Sequence, residues 1–185
     1  RALHPAPAMA RRFGVAIVPA GPNDVPGSSW GLCRVLADAD IRLFCPTIPH
    51  YYRWGGLDLA PHWDERAIFG RPGPGAFWWE APSGRRVLFW GANGRAAGEG
   101  FADPGSLERE LGACAEAGYP FSALRWTFSG ARRDNAPFTA ACCDAVRAWN
   151  REWANPRLEL STNARFLDAI AAEIPPDLPV RRGEL

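Results

Sequence analysis

Pro22-Asn23-Asp24-Val25-Pro26-Gly27-Ser28-Ser29-Trp30 is the stretch on which the reading of the chain turns. Ahead of it runs Phe13-Gly14-Val15-Ala16-Ile17-Val18, an apolar run of the kind that forms a buried strand. Behind it, Trp30, Leu32, Cys33, Leu36 and Ala37 recur at the spacing of one helix face. The stretch is therefore a strand-to-helix turn, punctuated by Pro26 and Gly27. Ser28 or Ser29 is placed to cap the helix by accepting a bond from a free backbone N–H. Asn23 and Asp24 then stand at the carboxyl end of a strand, the edge at which α/β proteins carry their chemistry. Both residue types also shape turns without any further role.

Beyond the first helix, Ile41-Arg42-Leu43-Phe44-Cys45 reads as a second strand, parallel to the first through a right-handed crossover. Residues 46–75 then form a long irregular stretch rich in Pro and Gly, and a loop of that length in a compact domain is usually functional. It carries His50 and the segment His62-Trp63-Asp64, whose His-x-Asp form lacks the further ligands that a metal site needs. Ala76-Phe77-Trp78-Trp79-Glu80 and Arg86-Val87-Leu88-Phe89-Trp90 flank Ala81-Pro82-Ser83-Gly84-Arg85, the pattern of an aromatic β-hairpin. A Gly-rich loop with Asn93, Arg95 and Glu99 follows, then a helix capped by Ser106 and stopped by Gly118. A strand is expected at 123–128, with Arg132, Arg133, Asp134 and Asn135 at its exit, then a helix over 138–153. A short strand at 158–160, a last helix over 164–172 and an irregular tail complete the order.

Alternating strands and helices argue a parallel sheet covered by helices, with the hairpin as an insertion. Four parallel strands do not close a barrel by themselves, so an open α/β sheet and part of a (β/α) barrel both fit. No internal repeat or linker divides residues 1–185, which read as a single domain.

With 185 residues, 47% of them hydrophobic and 12% aromatic, the chain is long and apolar enough for a sizeable core. A net charge of +1 argues against nucleic acid as the main partner. No run of 18 apolar residues offers a membrane span, and the opening Arg1-Ala2-Leu3-His4-Pro5 is not a signal peptide. It reads instead as the start of a piece of a longer protein. The cysteines Cys33, Cys45, Cys114, Cys142 and Cys143 lack metal-ligand spacing and are expected as buried free thiols. Phosphate-binding Gly motifs and a nucleophile elbow are missing. What the expected strand exits do share is carboxylates, amides and guanidinium groups beside Trp residues, a chemistry suited to hydroxyl-rich ligands. Taken singly, each such residue also fits a solvated loop or a core ring.

Several segments, in order, resemble the catalytic domain of glycoside hydrolase family 38, the α-mannosidases, and its bacterial relatives. Asn23-Asp24-Val25-Pro26-Gly27-Ser28-Ser29-Trp30-Gly31-Leu32 resembles the family's Asp-x-Pro-Gly-His-Ser/Thr-Trp-x-Leu segment. Phe77 to Leu88 resembles its hairpin, and Asp134-Asn135-Ala136-Pro137 with Val146-Arg147-Ala148-Trp149-Asn150 resembles its D-N-x-P … V-x-x-W-N stretch. Pro156-Arg157-Leu158 to Phe166 and Leu178 to Glu184 resemble its ending.

The resemblance implies a seven-stranded (β/α) barrel of which this chain is the later, C-terminal part. It also implies zinc and a retaining mechanism with two carboxylates, acting on a mannoside-like glycan. The family's zinc motif and nucleophile lie upstream of Asp24 and are not in this chain. The family's His is Ser28 here. The expectations are Asp24 and Glu99 as weak catalytic candidates, and Asn23, Asp24, His50, Asn93, Asp134 and Asn135 as substrate-binding residues. A carbohydrate-binding relative without turnover is the alternative. The isolated chain is expected to be inactive and only marginally stable, and a bacterial relative would be cytoplasmic.

Overall fold

A computed structural model gives the structure of the chain. It describes residues 5–22, 25, 27–46, 76–90, 105, 107–108, 111–112, 115, 119, 121–125 and 140–185. Contacts divide the chain into two compact units, Arg1–Ala92 with Asn163–Leu185, and Asn93–Thr162.

The first unit holds a five-stranded sheet among the described residues: β1 (Pro19–Ala20), β2 (Leu43–Phe44), β3 (Ala76–Glu80), β4 (Arg86–Trp90) and β5 (Val180–Arg181). The spatial order is β1-β2-β4-β3-β5. β1, β2 and β4 run parallel, β3 is antiparallel to β4, and β5 is parallel to β3. The sheet is thus mixed, mostly parallel and open. The hairpin is not an insertion beside it but its centre, since β4 pairs with β2 and β3 with β5.

The hairpin forms where the aromatic runs predict it. The turn closes by Gly84 N–H donating to Ala81 O at 2.9 Å and Ala81 N–H to Arg85 O at 2.9 Å. That closure sets Phe77 opposite Phe89 and Trp79 opposite Val87. Side chains alternate across a strand, so these four share one face. They form one core with Cys33, Leu36 and Ala37 of α2 (Trp30–Asp38) and with Phe44 of β2. Phe77 and Phe89 stack at 4.3 Å, and Phe44 lies 5.4 Å from Trp79. Such ring pairs add about 0.5–1.5 kcal/mol each beyond the area they bury. On the other face Trp90 meets Phe166 edge-on at 4.9 Å.

Two starting expectations are corrected in this unit. The apolar run at 13–18 is not the first strand. Pro5–Phe13 is a helix, α1, with Arg11 and Arg12 in its last turn, where cations suit the helix dipole. Gly14 (φ +63°) ends it, and Val15 N–H reaches back to Ala10 O at 3.2 Å. Pairing with β2 begins only at Val18, whose carbonyl accepts from Arg42 N–H at 2.8 Å. The tail, expected to be irregular, supplies β5. The region of the last helix is as expected: a helix over Asn163–Ile170 with a 3₁₀ turn over Ala171–Glu173.

In the second unit the helix Ala141–Glu152, α3 (the last helix, Asn163–Ile170, is α4), lies inside the expected 138–153. The expected strand at 158–160 is absent. Asn150 takes both backbone groups of Leu158, donating to its carbonyl at 2.7 Å and accepting from its N–H at 2.9 Å, so a side chain replaces a ladder there. Trp149 donates to Pro156 O at 2.7 Å and stacks on Trp153 at 5.5 Å. Residues 123–125 carry no strand, and 126–128 lie outside the described residues. Cys33 and Cys45 are buried as expected, Cys142 and Cys143 are half-buried, and Cys114 lies outside the described residues.

The chain passes closest to β2 at Gly21. A Cβ there would stand 3.0 Å from the carbonyl carbon of Cys45 and nearer still to its oxygen. Gly21→Ala is expected to cost about 1–3 kcal/mol, because backbone must move to admit the methyl group. Urea unfolding checks this, and an unchanged midpoint would contradict the close approach.

Candidate functional site

Asn23, Asp24, His50, Asn93, Glu99, Asp134 and Asn135 all lie outside the described residues, as do His62 and Asp64. What the structure describes is the frame from which several of them depart. β1, β2 and β4 are parallel neighbours, so Ala20, Phe44 and Trp90 end on the same edge of the sheet. The segments carrying Asn23 and Asp24, His50, and Asn93 and Glu99 start from that one edge. The segment with Asp134 and Asn135 has no such root among the described residues.

The start of α2 is fixed by three devices. Ser29, not Ser28, is the cap: its hydroxyl accepts from Leu32 N–H at 3.3 Å. Trp30 donates its indole N–H to Glu80 O at 2.8 Å. Ser28 forms a two-way backbone pair with Leu185, donating at 2.6 Å and accepting at 2.9 Å. Ser28 itself is buried, and its hydroxyl has no hydrogen-bond partner among the described residues.

The tail that pairs with Ser28 is held along its length. Trp78 N–H donates to Pro179 O at 2.8 Å, and the Trp79 indole donates to Gly183 O at 2.9 Å. Arg182 Nε donates to Glu80 Oε1 at 2.6 Å, while Arg86 Nε donates to Glu80 Oε2 at 2.7 Å. The hairpin register makes the second contact, since Glu80 lies opposite Arg86. The side chain of Glu80 is 9% exposed. Hydrogen bonds from Arg86, then from Arg182, hold its carboxyl below the ordinary value of 4.5. Sequence reasoning took Glu80 only as a strand end. The signal available was the turn closure, which makes its partner Arg86.

These groups are poor catalysts. A carboxylate with both oxygens occupied and its proton affinity lowered is a weak general acid or base near neutral pH. Cys33 is pushed up to about 12, first by burial and then by the charge of Glu80, so its thiol is not a ready nucleophile. Among the described residues no group of three or more His, Cys, Asp or Glu could hold a metal ion. The zinc that the resemblance implies therefore has no ligand set among them. A cleft of about 300 Å³ lies between α1 and the chain leading into β1 and β2, lined by Ala6, Pro7, Ala10, Ile17 and Ile41 with Arg11 and Asp40. It opens by the amino-terminal ends of those strands, away from the edge where the candidate segments start. No helix among the described residues is long and apolar enough to cross a membrane.

The class is a mixed α/β fold whose parallel strands deliver their exits to one edge. That fold is shared with a solved α-mannosidase from Enterococcus faecalis V583, at a TM-score of 0.58 and 14% identity, over 96% of this chain and 19% of that one. The chain thus spans about a fifth of the mannosidase's length. No protein-family profile matches the chain, and no curated protein matches it.

The ion cluster and the unpartnered hydroxyl each carry a test. A carboxyl whose folded pKa is depressed stabilises the fold fully above its unfolded value and loses that contribution as pH falls through the folded one. The melting-temperature gap between the native chain and Glu80→Gln should therefore be widest near neutral pH and close as pH falls below about 4.5. A gap independent of pH would sink the assignment. Ser28→Ala removes a hydroxyl that is buried without a partner, a burden of about 1–3 kcal/mol. The variant is expected to melt higher, and a lower melting temperature would show that the hydroxyl is bonded.

Proposed function

We propose that this chain belongs to an α-mannosidase-like glycoside hydrolase and supplies part of its sugar-binding edge. One observation carries the reading: the fold likeness to an α-mannosidase covers 96% of the chain. The ordered motifs of the sequence point the same way. In this reading Asp24 lines the site. Asn23, His50, Asn93, Asp134 and Asn135 hydrogen-bond sugar hydroxyls. Glu99 is the carboxyl offered for protonating the leaving oxygen. The reaction is cleavage of an α-mannosidic bond with retention, one carboxylate attacking the anomeric carbon and another working as acid and then base. The attacking carboxylate and the zinc ligands are proposed to come from outside this chain.

One observation favours a second reading. Ser28 stands where the resembled motif has His, and its hydroxyl has no partner among the described residues, so whatever that His contributes is missing here. The second reading is a relative that binds mannosides without cleaving them.

The full-length protein carrying this chain, assayed with an aryl α-mannoside and added zinc, separates the two. Turnover with retained configuration is expected, with kcat lowered by about 10²–10⁴ in Glu99→Gln, the range for loss of a general acid. Mannoside binding by calorimetry without turnover would establish the second reading, and neither binding nor turnover would overturn both. The isolated 185 residues are expected to be inactive in the same assay.

A further inference from the structure

We propose that Cys142 and Cys143 form a chelating dithiol site for a trivalent arsenic centre that carries one organic group. The two cysteines are adjacent in the first turn of α3, half-buried and outside any disulfide, whereas Cys33 and Cys45 are buried in the sheet unit. Cys143 is close enough to Cys142 to perturb its thiol through hydrogen bonding and charge. Asp144, the neighbouring acid, pairs with Arg147 at 3.2 Å and does not compete for them.

The pair is poorly suited to the usual fates of two thiols. Adjacent α-carbons across a trans peptide are about 3.8 Å apart, short of the roughly 4.4–6.8 Å that a disulfide spans. Closing the bond would also distort the first turn of α3. A structural zinc ion takes four ligands and a catalytic one three, and among the described residues no third His, Cys, Asp or Glu joins the pair. A singly substituted arsenic(III) centre needs two sulfurs and no more.

The chemistry balances without an oxidant. An arsenoxide R–As=O takes both thiol protons onto its oxygen, which leaves as water, while two As–S bonds replace the As=O bond and arsenic stays trivalent. The first turn of α3 has no side-chain cap, since Ala140 stands at that position, so thiol adjustment breaks no capping bond. Burial and then the bond from Cys143 raise the pKa of Cys142, which keeps its proton at neutral pH. Thiolate-dependent alkylating agents are therefore slow there, while the condensation begins from neutral thiols.

Phenylarsine oxide added to the native full chain is the test. One equivalent is expected to bind, with two fewer thiols open to a disulfide reagent. A dithiol such as 2,3-dimercaptopropanol should reverse it, and an equal amount of a monothiol should not. Cys142→Ser and Cys143→Ser should each weaken binding about 100-fold or more, the scale of a lost second attachment. Cys33→Ser, Cys45→Ser and Cys114→Ser should leave it unchanged. Circular dichroism of each variant establishes that it is folded, and Cys142→Ala and Cys143→Ala serve if a serine variant is not. No binding, full affinity in either pair variant of a folded protein, loss of binding in Cys114→Ser, or reversal by the monothiol would each overturn the site.

Discussion

The carboxylate of Glu80 joins two parts of the chain that lie 102 residues apart. One oxygen takes the guanidinium of Arg86 across the hairpin, and the other takes that of Arg182 on the tail. A buried charge is costly unless paired and hydrogen-bonded, and here both oxygens are engaged. The value of such a cluster lies less in net stability than in excluding alternatives. A one-residue slip of β3 against β4 would send Glu80 to the opposite face and break both contacts. The same slip would take Phe77 and Trp79 off α2, so the polar and apolar registers of the hairpin agree. The backbone carbonyl of Glu80 adds a third tie, to Trp30 at the start of α2. Hairpin, tail and the first turn of α2 are thus referenced to one residue.

Elements whose signals are local were legible in the sequence. The hairpin follows from two aromatic runs around Pro-Ser-Gly, and α2 from its apolar spacing and a serine cap. The first strand was misplaced because Val15, Ala16, Ile17 and Val18 are apolar whether or not they pair. Helix signals just before them, Pro5 at the start and Arg-Arg-Phe-Gly at the end, were passed over. β5 was illegible for a different reason. Two residues, Val180 and Arg181, have no period to detect, and they become a strand because β3 offers an unpaired edge. The strand expected at 158–160 failed through the side chain of Asn150, a partner that periodicity does not register. For the candidate site, the sequence supplied residue types, and the frame supplies a common edge for three of the segments that hold them.

That edge also explains where chemistry is sought. Several described ionisable groups around the hairpin are paired: Glu80 with two arginines, Cys33 with a carbonyl at 3.3 Å, and the exposed Asp40 with Arg85 at 2.8 Å. Groups held in this way serve the fold. Groups for binding hydroxyls or moving protons are therefore proposed for the segments that follow β1, β2 and β4.

Strand direction sets a limit on how this sheet relates to a barrel. A wholly parallel ring cannot contain the β3–β4 pair, which is antiparallel, nor β5, which follows β3. Only β1, β2 and β4 have the common direction that successive strands of a (β/α) barrel share. β4 is already paired on both edges, with β2 and with β3, so a closed ring through β4 would have to pass through the antiparallel β3. Glu80 and Arg182 bind the tail to the hairpin, and the Leu185–Ser28 backbone pair ties it to the turn that opens α2. Among the described residues the tail pairs with the hairpin and with that turn, so it holds the turn in place.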